Sequence, residues 1–184
     1  MRFLREDLRL TGTKNGCGTN HCGSCMVLVN GKPEKSCLLQ VRTLENADIV
    51  TIEGLSETGA LHPIQAAFLA AGGIQCGFCI PGMIMATKAL LDSNPDPGDA
   101  EIRRALSDVV CRCAAYGQII DGVKLSARWL KNPEEMAVLA SGGLNHSVMD
   151  IDGVAKAQGT QVYGDDVLLE DMLYLKAVWS AHPH

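Results

Sequence analysis

The sequence predicts an α+β chain, a small β unit followed by an all-α unit of four helices, each built around its own group of four cysteines. Three observations predict it. The eight cysteines divide into Cys17, Cys22, Cys25 and Cys37, then Cys76, Cys79, Cys111 and Cys113, with none left over. Asn30-Gly31, the strongest short hairpin signal, follows a β-rich run. Past residue 62, apolar residues recur at helical spacing between proline starts and glycine stops.

The first group lies in Gly16-Cys17-Gly18-Thr19-Asn20-His21-Cys22-Gly23-Ser24-Cys25 and is completed by Cys37. Its Cys-x4-Cys-x2-Cys spacing with a distant fourth cysteine matches a plant-type [2Fe–2S] loop. Four thiolates, two sulfides and two ferric ions carry a formal charge of about −2, and reduction adds another negative charge. Gly16, Gly18 and Gly23 suit a loop whose amides turn inward onto that charge, where a side chain would intrude. Structural zinc takes ligand pairs from separate knuckles, which this crowding fits poorly. His21 reads as a solvated loop residue, because four thiolates already complete the set.

In order along the chain, residues 2–10 place Phe3, Leu4 and Leu8 at helical spacing. Met26 to Val29 reads as a strand, and the return strand through Lys35-Ser36-Cys37-Leu38-Leu39 brings Cys37 beside Cys25. Asp48 to Ile52 reads as a third strand. Three strands and one helix bury little apolar surface and are marginal alone, so the chain is expected to begin late in this unit.

His62-Pro63 opens the second unit, with proline at a favoured first helical position. Ile64, Ala67, Phe68 and Ala71 mark one face, and Gly72-Gly73 closes the helix. A second helix opens at Pro81 after Gln75-Cys76-Gly77-Phe78-Cys79 and runs to Leu91. A third, capped by Gly98 or Asp99, carries Ile102, Ala105, Leu106 and Val109; a fourth, from about Gly117 to Lys131, carries Ile120, Val123, Ala127 and Leu130. Cys-x2-Cys alone also occurs in zinc knuckles and redox dithiols, but joined to Cys111-Arg112-Cys113 at interhelical turns it gains weight, since helix ends offer free amides. Arg112 reads equally as positive charge for a cluster and as a surface ion-pair residue. Residues 132–147, with Ser141-Gly142-Gly143, read as a linker. Residues 148–184 begin something new, with turns at Gly153, Gly159 and Gly164 and a strand from Leu173 to Val178.

The 184 residues are 47% hydrophobic, with net charge −5 and pI near 5.5. No polybasic run argues for nucleic acid. Pro63 to Thr87 carries no charge and is long enough for a membrane span, but glycines, Gln75, two cysteines and Pro81-Gly82 break it into two buried helices around a loop. The N-terminus lacks the apolar core of a secretory signal, so the expected location is the cytoplasm. Eight cysteines without an export signal argue for metal over disulfides.

The runs Leu10 to Cys17, Cys22-Gly23-Ser24-Cys25, Asn30-Gly31, Ser36-Cys37-Leu38, Gly73 to Cys79 with Pro81-Gly82, and Cys111-Arg112-Cys113 closely resemble the iron–sulfur part of the molybdenum hydroxylases, the xanthine dehydrogenase and aldehyde oxidoreductase family. The resemblance covers residues 4–131. It implies a plant-ferredoxin-like β-grasp over residues 1–55, truncated by its first hairpin, and a helical [2Fe–2S] domain over 62–131. It also implies two [2Fe–2S] clusters, with the helical one nearest a molybdopterin cofactor that touches Gln75 and Cys113. Electrons then run through both clusters to a flavin domain or subunit, or an external carrier, while the partner domain oxidises an aldehyde or N-heterocycle with oxygen from water. Gly153 to Gly159, Tyr163-Gly164-Asp165-Asp166 and Ser180-Ala181-His182 are similar to the start of the molybdopterin-binding domain, giving a fragment or split product of a longer enzyme. No residue of the chain is assigned a catalytic role.

The pattern departs from the family at Cys79-Ile80-Pro81-Gly82 and at Cys113-Ala114-Ala115-Tyr116, where threonine and threonine-glycine are usual. These changes touch hydrogen bonding near the second group and leave its ligands intact. Two other readings stay open on the sequence: a non-redox zinc-binding interaction module, and an inactive, cofactor-free fragment.

Overall fold

The structure, a computed structural model, describes residues 1–56, 59–140, 150–167, 169–173, 175–180 and 182. A three-stranded antiparallel sheet is built from β1 (Met26–Val29), β2 (Lys32–Lys35) and β3 (Ile49–Val50) in the order β2-β1-β3. Asn30 and Gly31 both take positive φ, 50° and 76°, which is the geometry of a primed turn whose twist matches the flanking strands. Pro33 lies on the edge strand β2, where its missing N–H costs no ladder bond.

Five α-helices follow among the described residues: α1 (Pro63–Ala70), α2 (Ile80–Ser93), α3 (Asp99–Leu106), α4 (Tyr116–Lys131) and α5 (Gly153–Gln158). His62 caps α1, its Nδ1 accepting the Ile64 amide at 3.2 Å, while the Gln65 Oε1 accepts the His62 amide at 2.9 Å. Gly72, at φ +66°, ends it. Gly73 N–H returns to the Phe68 carbonyl and Gly72 N–H to that of Leu69, both at 3.0 Å, so two otherwise orphaned carbonyls are satisfied. The Glu101 carboxylate accepts the Gly98 amide at the start of α3.

Helix α1 packs chiefly on α4, and α2 packs on β1. Gly122 permits the first contact, since a Cβ there would lie 3.2 Å from the Phe68 ring. One core runs from Met26 and Leu28 of the sheet through Ile80, Met83 and Ile84 to Ile102, Ile119 and Val123. The sheet and the helices therefore bury a common apolar surface across the interval near residues 55–62. No described helix is long and apolar enough to cross a membrane.

Four sequence expectations are corrected. Residues 3–7 form a single π turn closed by Leu8 N–H on the Phe3 carbonyl, which rotates Leu8 off the face of Leu4; only Leu4 is buried. The return strand stops at Lys35, and Cys37 sits on a 3₁₀ turn (Ser36–Leu38). The paired ladder ends at Met26 and Lys35, and after one further backbone bond, from the Ser36 amide to the Cys25 carbonyl at 3.1 Å, the chain turns. On α4, Trp129 takes the buried place expected for Leu130, packing against Ala66 and Ala67. Leu173 and Leu175 are 94% and 97% exposed, and the described residues of the expected strand form none; Tyr174, within that expected strand, lies outside the described residues. So do residues 141–149, which include Ser141-Gly142-Gly143 of the expected linker.

Candidate metal centres

The first loop turns its amides onto sulfur. Cys17 Sγ accepts the Cys22 amide at 3.3 Å and the Thr19 amide at 3.4 Å, and these donors draw the Cys17 pKa down to about 5. Gly18 and Gly23 take φ of +63° and +68°. Gly16 is needed for space, because a Cβ there would lie 2.8 Å from the Cys22 Sγ. Cys17 is in hydrogen-bond reach of the Cys22 thiol, and Cys25 of the Cys37 thiol. Burial pushes the Cys25 thiol up. His21 is exposed and contacts Thr19 through its ring nitrogen at 3.2 Å.

The second group gathers at helix ends. Cys79 caps α2 and is buried, Cys76 and the neighbouring Gln75 are exposed, and Cys111 and Cys113 lie between α3 and α4. The thiols are neighbours in turn, Cys79 of Cys111, Cys111 of Cys113 and Cys113 of Cys76. Burial drives the Cys79 pKa far above the ordinary thiol value, while the Cys76 amide lowers that of Cys113. The Tyr116 hydroxyl accepts the Cys111 amide at 2.9 Å, and Ala114 adopts φ +59° to make the turn.

Among the described residues no three His, Cys, Asp or Glu side chains are placed to hold one metal ion. Thiols gathered in two groups, with the Thr19 and Cys22 amides aimed at sulfur in the first, suit a core that shares its charge over two irons. The thiols and the amides donated to Cys17 Sγ have the chemistry to hold a group of this kind.

The two cysteine regions touch. Val110, just before Cys111, donates its amide to the Cys22 carbonyl at 2.9 Å. A Cβ on Gly23 would fall 2.0 Å from the Asp108 carbonyl oxygen, and one on Gly82 2.6 Å from that of Gly23. Both glycines are close-approach positions between the sites.

The sequence reading missed a buried ionic brace behind the first loop. Lys14, 1% exposed, reaches Asp166 at 3.0 Å, and Arg5 reaches the other oxygen of Asp166 at 2.8 Å. Lys14 also lies 4.7 Å from the centre of the Tyr163 ring, which meets Phe78 edge-on at 5.3 Å. The signal was present as Tyr163-Gly164-Asp165-Asp166. Pairing it with Lys14 across 152 positions lies beyond any local periodicity.

These features define an iron–sulfur protein class, and comparison with known proteins specifies it. Residues 51–124 match the family described as [2Fe-2S] binding domain. The chain is 44% identical over 130 residues to the nicotinate dehydrogenase small FeS subunit of Eubacterium barkeri, covering 71% of this chain and 83% of that one. It is 39% identical over 176 residues to aldehyde oxidoreductase of Megalodesulfovibrio gigas, covering 91% of this chain and 19% of that one. The solved aldehyde oxidoreductase from Desulfovibrio gigas superposes with a TM-score of 0.84 at 35% identity, over 90% of this chain and 19% of that chain. The chain belongs to the [2Fe–2S] iron–sulfur subunits and domains of the molybdenum hydroxylases, the xanthine dehydrogenase and aldehyde oxidoreductase family.

Proposed function

We propose that the chain holds two [2Fe–2S] clusters, one on Cys17, Cys22, Cys25 and Cys37 and one on Cys76, Cys79, Cys111 and Cys113, and conducts electrons between them. The Val110 to Cys22 hydrogen bond carries this reading, because it joins a ligand of one group to the residue beside a ligand of the other. A [2Fe–2S] core supplies reversible one-electron chemistry with no obligatory proton. The chain's own work is to hold thiolates apart in fixed pairs, aim the Thr19 and Cys22 amides at sulfur, and keep the two loops in contact. Those fixed dipoles oppose the negative charge that each reduction adds.

The electron source in this reading is a molybdopterin centre on a partner domain or subunit, contacted at Gln75 and Cys113. The sink is a flavin subunit or an external carrier, and the setting is the cytoplasm. Residues 1–55 and 62–131 are the two cluster-bearing units, β-grasp and four-helix in kind, and residues from 148 open the molybdopterin-binding domain. The relatives' names, nicotinate dehydrogenase and aldehyde oxidoreductase, support an N-heterocycle or an aldehyde as the substrate class.

Elemental analysis of the purified chain tests this. About four irons and four acid-labile sulfides per chain are expected, two of each per core. Bound zinc without sulfide would replace the proposal with a non-redox module, and absence of both metals from anaerobically purified, brown-free protein with an inactive fragment.

A further inference from the structure

The Cys-x2-Cys turn of the second site is gripped from outside by residues with no place in the electron path. Lys156, on α5, donates from Nζ to the Gln75 carbonyl at 2.9 Å. Tyr163 donates its hydroxyl to the Cys76 carbonyl at 2.8 Å. Between them Gly77, at φ +84°, passes so close that a Cβ would lie 2.6 Å from both Lys156 Cγ and Tyr163 Oη. In the same turn the Cys76 amide lies toward the Cys113 thiol and the Phe78 amide toward the Cys76 thiol.

The Gln75 carbonyl and the Cys76 amide belong to one planar peptide unit, whose oxygen and hydrogen point in opposite directions. A cation fixed on the oxygen therefore fixes where the hydrogen points, and polarises it as a donor. We propose that Lys156 is a positioning residue for the second cluster: by holding the 75–76 peptide it aims the Cys76 amide at the Cys113 sulfur and raises that cluster's reduction potential, with Tyr163 bracing the next peptide. Hydrogen bonds to cluster sulfurs favour the reduced, more negative state. Asp150 at 3.2 Å and Asp152 at 2.7 Å hold the ammonium in place, and its side chain is only 10% exposed. This rests on the second quartet holding a [2Fe–2S] core.

The test is a redox titration of the full chain followed by electron paramagnetic resonance, with the two signals assigned by the loss of one in Cys25→Ser. In Lys156→Met the second cluster's signal should keep its intensity while its reduction becomes about tenfold less favourable, a fall of about 59 mV for one electron. The first cluster's titration should not move. Lys156→Arg should recover most of the shift. Tyr163→Phe, which keeps the ring on Phe78, should shift the same signal in the same direction by less. Unchanged titrations in Lys156→Met and Tyr163→Phe would overturn the inference, as would equal shifts of both clusters or lost intensity without a shift. Should Lys156→Met not fold, Tyr163→Phe decides. A wild-type chain without two signals would instead sink the two-cluster reading itself.

Discussion

Val110 donates its amide to the carbonyl of Cys22 across 2.9 Å, so the loop of the first cysteine group is stitched to the strand of chain that enters the second. The contact is possible only because residue 23 is glycine. Its φ of +68° and the 2.0 Å approach of a hypothetical Cβ to the Asp108 carbonyl both exclude a side chain. Backbone cannot yield as the end of a flexible side chain does. Gly23→Ala should therefore destabilise the fold by roughly 2 kcal/mol or more. Denaturant midpoints measure this; a change within about 0.5 kcal/mol, the range of an ordinary surface substitution, would show that the loops do not dock as described.

The Asp166 carboxylate, 3% exposed, serves two cations at once. Burial works against Lys14 and draws its pKa below the ordinary lysine value, and Asp166 offsets only part of that. Asp166→Ala should cost roughly 3–5 kcal/mol, because it strands a buried ammonium. Adding Lys14→Met should recover much of the loss, and a double-mutant cycle by thermal or denaturant unfolding measures it. No recovery would mean that the pair is not coupled.

The same carboxylate gives a pH dependence. Burial pushes its pKa up, but the Tyr163 amide, Arg5 and Lys14 together outweigh that and hold it below the ordinary aspartate value. A depressed carboxylate contributes stability that is full above its unfolded pKa, about 3.9, and is lost as pH falls through the folded value. Unfolding free energy should thus fall below about pH 4, and less steeply in Asp166→Asn. Parallel slopes for the two proteins would contradict this.

Much of this was legible in the sequence because the chemistry is local. Cys-x4-Cys-x2-Cys, Asn30-Gly31, His62-Pro63 and Gly72-Gly73 each state their geometry within a few residues, and the hairpin and the ends of α1 follow from them. What could not be read depends on distant partners. Cys37 lies on a turn because β1 starts where the cysteine loop ends. Trp129 displaces Leu130 because α4 meets α1 at Ala66 and Ala67. The brace of Arg5, Lys14 and Asp166 joins segments that no period connects.

Each quartet should hold its core independently, since the thiol neighbours of Cys25, Cys76 and Cys79 belong in each case to the same group. Cys25→Ser and Cys79→Ser should each lower bound iron from about four to about two per chain, one core's worth. Loss of all iron in either single variant would mean that the groups assemble as one site.

The most direct measurement is low-temperature electron paramagnetic resonance of the dithionite-reduced chain with spin integration. Two distinguishable half-spin iron signals, totalling about two spins per chain as two reduced [2Fe–2S] cores require, are the predicted result. A single signal, or a diamagnetic protein that retains zinc, would contradict an electron path running through both cysteine groups.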